Sequence, residues 1–204
     1  SQSKLNSELE LEVKQRESLA EISRIIGSSL DIDEVYEHFA DQLRLLIPFD
    51  RLSISIPDAE RRFNTLSYLS GIEVGDQKVG FRFPLEGTLV KETLTSRSSV
   101  LIQGVDRGYL AEHLPALLAS YDSGLRSFLA VPLLHHGDTV AVLEIWSRAG
   151  TAYTDGHVNL ADRVGSQIAG AIANSILYAE RTILQNQLSQ SQKMEAVGRL
   201  AGGI

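Results

Sequence analysis

Apolar residues recur at helical spacing through the opening segment, Ser3 to Gly27, at Leu5, Leu9, Val13, Leu19, Ile22 and Ile26. The stripe is narrow and is interrupted by Arg16 and Ser23, a pattern that suits a partner helix better than a broad core. Gly27, Ser28 and Ser29 break it. Asp31 then caps a second predicted helix, Ile32 to Leu46, with Glu34 three residues on as in a capping box, and Pro48 ends it. Its apolar set is Val35, Phe39, Leu43 and Leu46 or Ile47.

The period then changes from helical to alternating. Arg51 to Ile56 is apolar at Leu52, Ile54 and Ile56, which predicts a strand. Pro57-Asp58 predicts a turn, and Phe63 to Leu69 a hairpin partner. Gly71 to Gly80 reads as a loop, Phe81 to Leu85 as a short strand or ordered loop, and Gly87 as the opening of a helix over Thr88 to Thr95. Ser98 to Ile102 predicts a strand. Asp106 to Gly124 is ambiguous and holds one short helix, His113 to Tyr121. Leu125 to Leu134 and Thr139 to Ser147 carry the strongest strand signal, joined by His135-His136-Gly137-Asp138.

Thr154-Asp155 caps the final helix, where Leu160, Val164, Ile168, Ile172 and Ile176 recur every fourth residue. Gly165 and Gly170 allow a close approach there. From Tyr178 the helix turns polar. Ile176, Ile183, Val197 and Ile204 share a seven-residue register, with Gln190 in the missing slot. The order α-α-β-β-α-β-α-β-β-α predicts an α+β fold. Five or six antiparallel strands form its centre, and the long first and last helices lie together on one face, leaving the other to build a pocket.

Composition narrows the chemistry. The 204-residue chain has no cysteine, which removes disulfides, thiolate zinc sites, iron–sulfur clusters, cysteine nucleophiles and thioether attachment of a bilin or haem. A net charge of −7 disfavours nucleic acid as a partner. No apolar run reaches the ~20 residues of a membrane span, and no signal core opens the chain, so a cytoplasmic location with no membrane contact is expected. Gly71, Gly75 and Gly80 fit no phosphate-binding fingerprint, and Glu112-His113 lacks a second histidine one turn away. His135 and His136 sit on a turn where neighbouring side chains are expected to point apart. Ser127 and Ser166 lack a nucleophile-elbow context. No catalytic residue, metal site or cofactor is identified, and the chain itself is expected to carry out no chemistry.

Two stretches resemble known families. Val131-Pro132-Leu133, Ala141 to Ser147 (AVLEIWS), Tyr153-Thr154-Asp155 and Ala171 to Ser175 (AIANS) resemble the closing half of a GAF domain. SLDIDEVYEHFADQLRLLIPFDRLSISI resembles its opening helix and first strand. Lys193 to Ile204 (KMEAVGRLAGGI) resembles the entry to the dimerisation and phosphoacceptor helix of histidine kinases, whose motif continues with Ala-His and an acidic residue. The paired Gly202-Gly203 suits a generic helix end poorly, because each glycine costs about 1 kcal/mol in a helix interior. No match occurs to the bilin-attachment cysteine or to the Asn-Lys-Phe-Asp-Glu motif of cyclic-nucleotide-binding members.

The resemblance implies three parts: an N-terminal signalling helix (1–28), a GAF-like sensory domain (29–178), and a linker helix leading into a kinase dimerisation domain (179–204). It implies the input domain of a two-component sensor histidine kinase, homodimeric through its terminal helices. A response regulator and ATP would be partners of the parent kinase alone. The alternative is a GAF module that holds no ligand, or one that controls a cyclic-dinucleotide enzyme or a transcription activator. A small-molecule ligand would lie between the sheet face of Leu125–Leu134 and the variable segment Phe81–Gly124. Arg82, Tyr109, His113, Tyr121 and Arg126, with Arg107, are the candidate polar contacts. Phe83, Leu110, Leu114, Leu117, Phe128 and Val131 are the candidate walls, equally readable as ordinary core.

Overall fold

The computed structural model describes residues 2–28 and 31–201, with side chains described for 4–26 and 31–198. Ser29, Gly202, Gly203 and Ile204 lie outside the described residues, as does the side chain of Leu200. Helix α1 spans Gln2–Ser28 and α2 Ile32–Arg44. Asp31 caps α2 by accepting from the Asp33 amide. Strands β1 (Arg51–Pro57), β2 (Phe63–Gly71) and β3 (Arg82–Pro84) follow, then α3 (Leu89–Ser96) and β4 (Val100–Gln103). Next come α4 (Arg107–His113), a 3₁₀ turn at Pro115–Leu117 and α5 (Leu118–Asp122). Strands β5 (Ser127–His135) and β6 (Asp138–Ser147) lead into α6 (Asp155–Ala201).

The six strands form one antiparallel sheet in the order β3-β2-β1-β6-β5-β4. The β5–β6 connection is a two-residue turn in which His136 (φ 50°) and Gly137 (φ 84°) both adopt positive φ, as the tightest hairpin turns require. That geometry corrects one expectation: the His135 and His136 rings are not splayed, and their centroids lie 4.0 Å apart.

Each sheet face builds its own core, because side chains alternate along a strand. One face carries Leu52, Ile54, Leu143 and Ile145 and is covered by α1, α2 and α6, which contribute Ile22, Phe39, Leu43, Val164 and Ile168. The long helices do share one face. A Cβ on Gly165 of α6 would stand 2.8 Å from Leu133, so the missing side chain lets α6 settle on β5. The opposite face carries Phe128, Ala130, Val142 and Trp146, under Leu89, Leu94, Leu110 and Leu117 from the shorter helices.

The segment before β5 departs from expectation. One helix over His113–Tyr121 was predicted, but α4 ends at His113 and a separate turn begins at Pro115. Proline cannot donate the bond a continuing helix needs at that point. The start of α4 is set instead by Asp106, whose carboxylate accepts from the Tyr109 amide at 2.8 Å.

Candidate functional site

A cavity of about 320 Å³ lies on the face away from α6. Its floor is the sheet, through Ser53, Leu66, Glu144 and Trp146. Its roof and rim are Gln77, Phe81, Phe83, Pro84, Glu86, Thr88, Leu89, Ala116 and Leu117. The variable segment, with Gln77 before it, therefore supplies the roof. The floor, however, is β1, β2 and β6 in place of β5, because β5 is covered by α3 and its outer neighbours.

The floor is polar at its centre. Glu144 stands mid-strand in β6 at 5% exposure. The Ser53 and Ser55 hydroxyls on neighbouring β1 each donate to its Oε2 at 3.2 Å. Its Oε1 receives no hydrogen bond from a described residue. Burial pushes this carboxyl up to about 7, against the pull of the two serines and of Arg51. Arg51, 1% exposed, donates to the Ile72 carbonyl and to Gln77 Oε1 at 2.8 Å, and stands 5.6 Å from the Trp146 ring centre. Desolvation lowers its guanidinium, and Glu144 opposes that shift. Gln77, held by Arg51, ties the 71–80 loop to the cavity wall.

A raised carboxyl has a stability consequence of unusual sign. The folded state keeps its proton between the ordinary value of 4.5 and about 7, where the unfolded chain has lost it. The contribution to stability is therefore full at low pH and is lost as pH rises through that window. Relative to Glu144→Gln, the native protein should lose on the order of 3 kcal/mol between the two limits. Urea midpoints of both proteins across the window check this, and a constant difference between them refutes it.

The five polar residues singled out from the sequence do not gather at this cavity. Arg82, exposed on edge strand β3, pairs with Asp58 at 3.2 Å and stacks over Phe63. Tyr109 and His113 stack on each other on α4 with centroids 4.4 Å apart, and the His113 ring meets the Tyr109 carbonyl. Arg126 lies over the Tyr121 ring at 3.9 Å and donates to the Tyr121 and Leu125 carbonyls. Arg107 grips Asp122 with two bonds of 2.9 and 3.0 Å, joining α4 to α5. Arg107 and Arg126 fasten the helical cover, and Arg82 ties the edge strand β3 to the β1–β2 turn and β2. Of the predicted walls, Phe83 and Leu117 line the cavity, while Leu110, Leu114 and Phe128 are packed core. Val131 belongs to the opposite face, as its odd spacing from Phe128 along one strand demands.

Glu144, Ser53, Ser55 and Arg51 were not singled out in the sequence. A signal existed: a lone glutamate inside AVLEIW, and two serines on the non-apolar face of a strand. That face reads as solvent-facing by default, and the cover of the 77–86 segment, α3 and the 3₁₀ turn makes it interior.

Among the described residues no cluster of His, Asp and Glu is placed to hold a metal, and no helix is long and apolar enough to cross a membrane. A six-stranded antiparallel sheet, helices on both faces and a cavity under the variable segment define a small α+β sensory fold. The model of the GAF domain matches residues 29–173, and the chain belongs to that family. The transcriptional activator HyfR of Escherichia coli is 25% identical over 84% of this chain, and the formate hydrogenlyase transcriptional activator FhlA of the same organism is 23% identical over 90%. The chain spans only 26% and 27% of those two proteins. Among solved structures, the GAF domain of a two-component sensor histidine kinase from Bacillus halodurans is 23% identical and superposes with a TM-score of 0.60, over 74% of this chain and 99% of that one.

Proposed function

We propose that this GAF domain is the signal-input unit of a cytoplasmic two-component sensor histidine kinase, in which α6 carries the state of the cavity-bearing domain to a phosphoacceptor helix. The observation that carries the reading is α6 itself. Its first half is core, with Val164, Ile168 and Ile172 fully buried, and its second half continues unbroken, with Leu177, Ile183, Leu184 and Leu188 all more than half exposed. A rigid element embedded at one end and free at the other transmits displacement along its axis. The resemblance of KMEAVGRLAGGI to a kinase dimerisation helix supports the kinase output, with residues 179–204 as the linker. The exposed apolar residues of α6, together with Leu5, Leu9 and Val13 of α1, support a parallel homodimer. A response regulator would accept the phosphate from the parent protein.

A second reading follows from the relatives: the same input module controlling a transcription activator, as HyfR and FhlA are described. The full-length protein incubated with γ-labelled ATP separates the two. Acid-labile, alkali-stable phosphoprotein supports the kinase. ATP hydrolysis without phosphoprotein, accompanied by sequence-specific DNA binding, refutes the kinase and supports the activator.

A further inference from the structure

The cavity floor combines an apolar, aromatic enclosure with a single deeply buried carboxylate. The wall residues include two acids, Glu86 and Glu144, and no lysine or arginine. Glu86 stands at the rim, exposed and paired with Lys91 of α3. Arg51, whose charge acts on Glu144, gives its two terminal nitrogens to the Ile72 carbonyl and Gln77 and is not among the lining residues; its Nε and the indole Nε1 of Trp146 are the buried donors there without a partner among the described residues. Glu144 has one oxygen held by two serines and the other without a protein donor. Carboxylates and phosphates entering here would meet no free cation and one buried acid, a costly encounter at low dielectric. A group bringing its own N–H donors and positive charge would supply what Oε1 lacks. Phe81, Phe83 and Trp146 offer ring surface for the apolar remainder and for cation–π contact.

We propose that the cavity takes a small organic cation, an amine or amidine on an apolar or aromatic body, whose N–H group pairs with Glu144. This rests on the reading of the domain as a signal-input module and names the class of signal. Pairing requires the ionised carboxylate, so binding strengthens as pH rises. The charged groups that face Glu144 or the cavity are Arg51 from β1, Glu86 from the loop before α3, and Lys91 from α3 through Glu86; the 3₁₀ turn contributes only Ala116 and Leu117.

Trp146 is the chain's single tryptophan and lies in the cavity wall, so its indole N–H gives one isolated NMR signal. The probes are benzamidinium, benzamide and benzoate: one ring, three charge states. Each is titrated to about 10 mM, a range that covers fragment-strength binding. Phenethylammonium serves as a second cation. The expected result is a saturable indole shift with the cations, a weaker one with benzamide and none with benzoate. Affinity for benzamidinium should be about tenfold higher near pH 8 than near pH 6. Glu144→Gln, which keeps one amide oxygen to accept from both serines, should weaken the cation at least tenfold and abolish the pH dependence while leaving benzamide unchanged. Benzoate binding as well as benzamidinium, equal cation binding by Glu144→Gln, or no shift with either cation overturns the proposal. The titration is read on this domain without its output. Loss of the ligand class thus leaves the kinase assay standing, and a negative kinase assay leaves the ligand class standing.

Discussion

Replacing Gly71 with alanine should cost about 4 kcal/mol and lower the thermal midpoint by roughly 10 °C. Gly71 closes β2 with φ +93°, opposite Arg51 in the β1–β2 ladder. A Cβ there would stand 2.0 Å from the Asp50 carbonyl oxygen, and the obstruction is backbone, which no rotamer change can clear. The same carbonyl accepts from the Ile72 amide at 2.9 Å, and the Asp50 carboxylate accepts from Arg148 N at 2.7 Å and from Ser147 Oγ at 3.1 Å. Moving Asp50 therefore disturbs β1, β2 and β6 together, next to Arg51 and the cavity floor. Positive φ alone accounts for about 1–2 kcal/mol. Gly75→Ala is the control: its φ is +51°, but nothing lies within 4 Å of the added carbon. It should cost about 1 kcal/mol. Thermal and urea unfolding of both variants decide the matter; equal losses would mean that the Asp50 approach is not what demands glycine.

Ile183→Asp should shift the proposed dimer to monomer, raising its dissociation constant at least about 100-fold. Ile183 is 57% exposed on α6, well past the last residue buried against the sheet. In a two-fold parallel pair the substitution places two carboxylates at one level of the seam, so each dimer suffers the change twice. Gln190→Leu should act oppositely, filling the one polar slot between Ile183 and Val197 and tightening the pair. A switch needs two packings within a few kcal/mol of each other, so the tightened variant should also hold the output in one state. Sedimentation of the native protein and both variants measures this. A native monomer at high micromolar concentration, or indifference to both changes, would refute parallel pairing through α6.

Elements with one clean period were legible in the sequence alone. The i+4 march from Leu160 to Ile176 and the alternation of RLSISI each specify a local conformation, because one apolar stripe or one apolar face fits a single period. The β5–β6 hairpin was legible because Gly137, a residue at ease with positive φ, falls between two strongly apolar runs. The GAF likeness followed from β6 and the buried half of α6, since AVLEIWS and AIANS lie where backbone and packing constrain residue type most.

What only the tertiary structure decided is where a polar side chain ends up. Ser53, Ser55 and Glu144 look like a solvated face along their own strands, and they become a sheltered cluster only because the 77–86 segment, α3 and the 3₁₀ turn fold over that face. Arg82, Tyr109, His113, Tyr121 and Arg126 look like a binding set because they cluster in an irregular segment. Each instead finds a partner from its own surface neighbourhood, and charged side chains left near water stay there. Local period is a property of consecutive residues, so the chain carries it unaided. Which face is covered, and so whether a carboxyl keeps a pKa near 4.5 or rises to about 7, depends on segments distant in sequence, such as Ser53 and Ser55 at 91 and 89 residues from Glu144, that meet only in the folded state.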